Sequence, residues 1–202
     1  MKLYYLKGAC SLASYISLIE AGQKFEAYAI DRATKKTADG KDFNTINAKG
    51  YAPALQLDNG EVLTENVAVL SYIASLDKSG KLGPAPGNAG YFRLLEWLGY
   101  INSEVHKNFG PLFNPASSED VRAGAKANLA RRLGYIEERL GDKPYLTGND
   151  FTVADAYLYV VLSWRDHVGV DISAFPKLTA FYERARSRPA VQQARKSEGL
   201  PA

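Results

Sequence analysis

Residues 50–66 read Gly50-Tyr51-Ala52-Pro53-Ala54-Leu55-Gln56-Leu57-Asp58-Asn59-Gly60-Glu61-Val62-Leu63-Thr64-Glu65-Asn66. A proline is tolerated at the first position of a strand and not in its middle, so a strand begins after Pro53. Asn and Gly accept positive φ, which makes Asp58-Asn59-Gly60 a tight turn and Glu61 to Leu63 the returning strand. Thr64-Glu65-Asn66 is then the polar start of a helix whose body carries Val67, Val69, Leu70, Tyr72, Ile73 and Leu76. The stretch is a hairpin followed by a helix.

Upstream, Lys2 to Leu6 is a short β-prone run broken by Gly8. Leu12, Tyr15, Ile16 and Ile19 then recur at helical spacing within Ser11 to Glu20. Ala21-Gly22 ends that helix, and Phe25 to Ile30 alternates, with Phe25, Ala27 and Ala29 on one face. Asp31 to Lys49 is polar, with weak helical character around Asp42 to Ile46. The order through residue 80 is βαβαββα. Asp77 to Gly90 holds Pro84, Pro86 and four glycines, the composition of a surface connection, and the linker is placed at residues 81–88. Beyond it, Phe92, Leu95, Trp97, Leu98, Ile101 and Val105, and later Leu129, Leu133, Ile136 and Leu140, recur at helical spacing. Residues 89–202 therefore form an all-helical domain after a first domain at 1–80. Thr152-Val153-Ala154-Asp155 reads as a capping box ahead of the apolar run Tyr157 to Leu162, with Phe151 placed to staple back onto Ala156 or Tyr157.

A chain of 202 residues, 46% hydrophobic, can bury a real core without metal or disulfide staples. Lys and Arg number 25 against 22 Asp and Glu, and the basic residues are scattered, which argues against nucleic acid or an anionic membrane as partner. No run of about 18 apolar residues suggests a transmembrane helix. Lys7, Gly8 and Ser11 interrupt any signal-peptide core, and a single cysteine suits a reducing compartment, the cytoplasm.

Four places carry chemistry. Cys10 sits where the first strand has ended and the first helix begins. It is either a buried structural cysteine or a thiolate favoured by the helix N-terminus, with a lowered pKa. Position 13 is alanine, so no self-contained dithiol exists and disulfide exchange requires an external thiol. Ala52-Pro53 is a candidate cis bond that would aim the Ala52 backbone at a ligand, against the commoner trans proline. Thr64-Glu65-Asn66 either caps its helix or offers backbone N–H groups to a carboxylate and Glu65 to an ammonium, a pairing suited to a zwitterion. On the helix from Glu96 to Asn108, the residues Gly99, Asn102, Ser103, His106 and Lys107 share a polar face.

The segments YYLKGACSLAS (4–14), NAKGYAPAL (47–55), LTENVAVLSYIA (63–74), EWLGYINSEVHKNFGPLF (96–113) and FTVADAYLY (151–159) occur here in one order. In these the chain resembles the bacterial beta-class glutathione S-transferases over its whole length. The resemblance implies a thioredoxin-like N-terminal domain, an all-helical C-terminal domain and a homodimer. Glutathione is implied as co-substrate, with no metal. Cys10 matches the cysteine beside the glutathione sulfur, and Tyr5 and Ser11 match neighbours of that sulfur. Ala52, before a cis Pro53, matches the residue whose backbone pairs with the cysteinyl part. Glu65 and Asn66 match the holders of the γ-glutamyl ammonium and carboxylate, and Lys35 the lysine near the glycine carboxylate. His106 and Lys107 match residues of the helical domain facing the thiol, where Ser103 shares their face. At Gly99 the family often has an asparagine that reaches the neighbouring subunit's glutathione, and glycine has no side chain to do so.

The activity implied is detoxifying conjugation: a glutathione thiolate, activated near Cys10, Ser11 and His106, attacks a small apolar electrophile held against Tyr5, Phe109, Phe113 and Trp164. Two alternatives stand beside it. Cys10 can work as a glutathione-dependent thiol-disulfide oxidoreductase or reductive dehalogenase through a mixed disulfide, or the chain can be a non-catalytic carrier of apolar ligands.

Overall fold

In a computed structural model, residues 1–201 are described; Ala202, the end of the expected helical domain, lies outside the described residues. The N-terminal part contains β1 (Lys2–Tyr5), α1 (Ser11–Glu20), β2 (Glu26–Ala29), β3 (Ala54–Gln56), β4 (Val62–Thr64) and α2 (Asn66–Leu76). The second helix of the expected order is reduced to a single 3-10 turn, Phe43–Thr45, capped by Asp42. That segment offers the core one buried residue, Phe43, and the partly buried Ile46, too little apolar surface to hold a full helix against the sheet. The strands lie in the order β2-β1-β3-β4, with β1 and β2 parallel and the other pairs antiparallel. The hairpin register sets Leu55 opposite Leu63.

Alternation along β1 separates the two faces of the sheet. Leu3 and Tyr5 pack with Leu18, Leu55, Val69 and Ile73 beneath α1 and α2, while Tyr4 packs with Ile30, Phe43 and Ala54 on the opposite face. Residues 77–88 form no helix or strand and lead into α3 (Ala89–Tyr100). The chain continues without a break through a π-helical turn, Ile101–His106, into α4 (Lys107–Phe113). There follow α5 (Glu119–Leu140), α6 (Val153–Ser163), α7 (Arg165–Val168), α8 (Pro176–Arg186) and α9 (Pro189–Ser197).

The axis of the helical part is α6, buried from Val153 to Leu162. Its start is held by Asp155. One carboxylate oxygen accepts from the Thr152 N–H (2.8 Å) and hydroxyl (2.6 Å), and the other accepts from the Leu146 N–H (2.9 Å). Phe151 rests edge-on against Tyr145, with the Arg188 guanidinium 4.3 Å from its ring centre. Burial raises the Asp155 carboxyl to about 6 despite these donors.

Removing the Asp155 carboxylate strands three buried donors, whereas removing the Thr152 hydroxyl loses one cap. Asp155→Ala is expected to cost about 3 kcal/mol or more and Thr152→Ala about 1 kcal/mol in urea unfolding. Equal losses would contradict this account of the cap.

Candidate active site

Two clefts open at the N-terminus of α1 and share Ala9, Cys10, Arg32, His106 and Lys107. The first is polar, about 470 Å³, and adds Lys35, Asn47, Tyr51, Ala52, Pro53, Thr64, Glu65, Asn66, Asn102 and Tyr157 among its lining. The second, about 800 Å³, is walled by Phe109, Phe113 and Trp164. One floor thus serves a polar and an aromatic compartment.

The loop from β1 to α1 builds that floor. The Ser11 hydroxyl accepts from the Leu6 N–H (3.1 Å) and donates to the Leu6 carbonyl (3.2 Å), so it ties the loop and lines neither cleft. Gly8, at φ +69°, is gripped from the helical part: its N–H donates to Glu198 Oε2 and its carbonyl accepts from Trp164 Nε1–H, both at 2.8 Å. Burial raises the Glu198 carboxyl to about 7. Tyr5, expected beside the sulfur, points into the sheet core and meets Tyr15 edge-on at 5.6 Å. On β1 every second side chain faces that core, and Tyr5 shares the face of Leu3.

Cys10 caps α1 without a side-chain cap, and its thiol donates to the Ala52 carbonyl at 3.5 Å. Ala52–Pro53 is cis. Burial pushes the Cys10 thiol up to about 11, outweighing its own and the Ser11 backbone N–H groups, and the Glu65 charge adds to the rise. The lowered pKa expected from position alone is overturned: the helix end supplies donors, but desolvation of the charge is the larger effect.

Among the described residues, Lys35 (φ +57°) and Glu65 (φ +68°) are the non-glycine residues with left-handed φ, and both line the polar cleft. Such strain gathers at functional sites. No side chain caps α2, so its first N–H groups face the cleft without a partner inside the helix. The Glu65 carboxylate already accepts from an ammonium, that of Lys49, at 2.6 Å. Lys35 Nζ donates to the Gly50 carbonyl at 3.4 Å. The Asn66 side chain is committed elsewhere, accepting from the Ser14 hydroxyl (3.0 Å) and donating to the Cys10 carbonyl (3.3 Å), which leaves its backbone N–H for a ligand.

On the far wall, the π-helical turn changes the expected face. Asn102, His106 and Lys107 line the polar cleft, but Ser103 does not: its hydroxyl donates to the Gly99 carbonyl at 3.0 Å. His106 Nδ1 lies 2.7 Å from the Tyr157 hydroxyl, which donates to Asn102 Oδ1 at 3.0 Å. The Tyr157 oxygen therefore accepts the Nδ1 proton, and Nε2 keeps the lone pair. Burial, with the Lys107 charge beside it, pushes His106 down to about 4, so the ring is neutral at pH 7. Tyr157 escaped the sequence reading because it lies in an apolar run, where its ring reads as core. Arg32 escaped because the polar segment around it carries no pattern. His167 lines the aromatic cleft.

The model of the glutathione S-transferase N-terminal domain matches residues 1–75 and that of the C-terminal domain residues 100–189. The chain belongs to the glutathione S-transferase family. It is 40% identical over 200 residues to the glutathione S-transferase GstA of Escherichia coli O157:H7, covering 99% of this chain and all of that one. A sphingomonad glutathione S-transferase solved in complex with glutathione superposes with a TM-score of 0.95 at 46% identity. The bacterial beta-class enzyme of Sphingomonas chungbukensis superposes at 0.94, also at 46% identity, and each of these two structures and this chain cover one another in full. The protein is thus a glutathione transferase of bacterial beta-class type, an enzyme with a thioredoxin-like sheet domain joined to helices.

With a thiol raised by burial, alkylation of Cys10 by iodoacetamide in the ligand-free protein is expected to keep rising with pH through 10. A midpoint below the ordinary thiol value of about 8.5 would contradict the burial argument.

Proposed function

We propose that the polar cleft binds glutathione and the aromatic cleft its electrophile, and that the protein is a cytosolic, homodimeric detoxifying transferase. The observation that carries this reading is the meeting of the two clefts at Cys10 and His106. Lys35 holds the glycine carboxylate of the tripeptide, and Glu65 holds the γ-glutamyl ammonium, with Lys49 moving aside. The first N–H groups of α2, beginning at Asn66, take the γ-glutamyl carboxylate, a disposition that suits an anion at a helix N-terminus. The Ala52 backbone pairs with the cysteinyl unit, with Pro53 beneath it.

The sulfur then lies over the start of α1. His106 Nε2, neutral and carrying its lone pair, accepts a hydrogen bond from the thiol; held down to about 4, it is too weak a base to keep the proton, which passes to solvent as the thiolate forms. The thiolate attacks the electrophilic carbon. The new C–S bond forms, the bond to the leaving group breaks, and for an aryl halide the halide departs with its electron pair. Tyr157 and Asn102 hold the imidazole in the required tautomer. Cys10, a protonated thiol at pH 7, stands beside the sulfur as a donor rather than as the attacking group. Ser103 and Tyr5, which line neither cleft, have no part in this scheme.

Glu65→Gln keeps the size and removes the charge that meets the ammonium. The KM for glutathione in thioether formation from 1-chloro-2,4-dinitrobenzene, with product identified by mass, is expected to rise about 10- to 100-fold while kcat changes little. An unchanged KM would remove glutathione from this cleft. Oxidised glutathione as the product in place of a thioether would favour disulfide chemistry.

A further inference from the structure

The aromatic cleft has a charge pattern that conjugation of apolar electrophiles does not call for. Three cations line it, Lys7, Arg32 and Lys107, and no Asp or Glu does, although the chain has 22 acidic residues. The Arg32 and Lys107 side chains make no ion pair or hydrogen bond among the described residues, and both are exposed. Lys7 is partly balanced by Glu198, which lies behind Gly8. Under the proposed function, Lys35 and the N-terminus of α2 already serve the carboxylates of glutathione; Arg32 and Lys107 stand on the border of the two clefts, where they also reach the second substrate, and Lys7 faces the aromatic cleft alone.

The walls are suited to a flat ring. Trp164 is fixed by its bond to the Gly8 carbonyl, and Phe113 meets it edge-on at 5.8 Å and 78°. Phe109, fully buried, closes the back at 5.5 Å from Trp164. Phe113 keeps half of its surface open to the cleft mouth and solvent.

The geometry points to an aromatic acid as the preferred electrophile: a planar ring bearing a leaving group and a carboxylate, its ring against Trp164 and Phe113 and its carboxylate held by Arg32 with Lys107 beside it. Arg32 determines the specificity. A guanidinium offers two parallel N–H donors to one carboxylate, and an exposed, unpaired one loses no existing partner on binding it. The chemistry is the same displacement: the C–S bond forms, the carbon–halogen bond breaks, halide leaves with its electron pair, and the carboxylate is unchanged. This inference rests on the transferase reading.

The test uses two electrophiles that differ only in the carboxylate, 4-chloro-3,5-dinitrobenzoate and 2-chloro-1,3-dinitrobenzene. The kcat/KM for each at saturating glutathione is divided by its uncatalysed rate with glutathione. The wild type is expected to favour the benzoate by about fivefold or more, the ratio to fall by about two- to fivefold in Arg32→Gln, and to fall below one in Arg32→Glu. Raising NaCl from about 0.05 to about 0.5 M should shrink the wild-type ratio and leave that of Arg32→Glu flat or rising. A wild-type ratio near one, or a ratio that Arg32→Glu leaves unchanged while the KM for glutathione rises, overturns the proposal and returns the cations to glutathione. A loss of rate equal for both electrophiles overturns it too, since the charges would then act on the reacting centre alone. If neither electrophile yields a thioether, the transferase reading fails, and binding of the unreactive pair still decides: 3,5-dinitrobenzoate should quench tryptophan fluorescence at lower concentration than 1,3-dinitrobenzene, with the difference gone in Arg32→Glu. Equal affinities for that pair in the wild type overturn the proposal.

Discussion

Helix α1 is held between the sheet and the helical layer, and everything else in the molecule leans on that burial. Leu12, Ala13 and Ile16 face the large helical core, while Leu18 packs with Leu3, Leu55, Val69 and Ile73 against the sheet. Both ends are pinned across the two parts of the chain. At the C-terminal end, Glu20 and Arg188 form a two-pronged ion pair at 2.6 and 2.9 Å. At the N-terminal end, Glu198 and Trp164 hold Gly8 from opposite sides. A helix fixed in this way presents its N-terminus at a set place, the junction of the two clefts.

Burial decides the electrostatics at that junction. At Cys10 the helix end and the cost of desolvating a charge oppose one another, and desolvation is the larger. At His106 desolvation and Lys107 act in the same direction and keep the ring neutral. The protein thus offers a neutral imidazole that can accept a hydrogen bond, a protonated thiol that can donate one, and backbone N–H groups at the helix end, which together can meet the charge of an incoming thiolate. Across the polar cleft, the left-handed backbone at Lys35 and Glu65 and the uncapped start of α2 set polar groups at the cavity wall.

Much of this was legible in the sequence, for identifiable reasons. Pro53 and Asp58-Asn59-Gly60 constrain the backbone directly, so the hairpin followed from them, and Thr152 with Asp155 marked the start of α6 through a bonding pattern that needs little context. Positions set by alternation or by helical pitch were less secure. Tyr5 turned into the core because of the face it occupies on β1. The π-helical turn at 101–106 shifted the pitch, so a face drawn at α-helical spacing kept His106 and Lys107 in the cleft and lost Ser103. The Ser11 hydroxyl went to the Leu6 backbone, a local demand that a motif match does not reveal. The pKa of Cys10 depended on burial by distant segments, a quantity that position along the chain does not contain.

The central claim is that glutathione and electrophile meet over the N-terminus of α1, one in each cleft. A crystal structure with the conjugate S-(2,4-dinitrophenyl)glutathione tests it most directly. The account predicts the tripeptide along Lys35, Ala52, Glu65 and Asn66, its sulfur beside Cys10 and His106, and the dinitrophenyl ring against Trp164 and Phe113. A tripeptide bound elsewhere, or a ring turned away from the aromatic wall while the tripeptide fills the polar cleft, would contradict it.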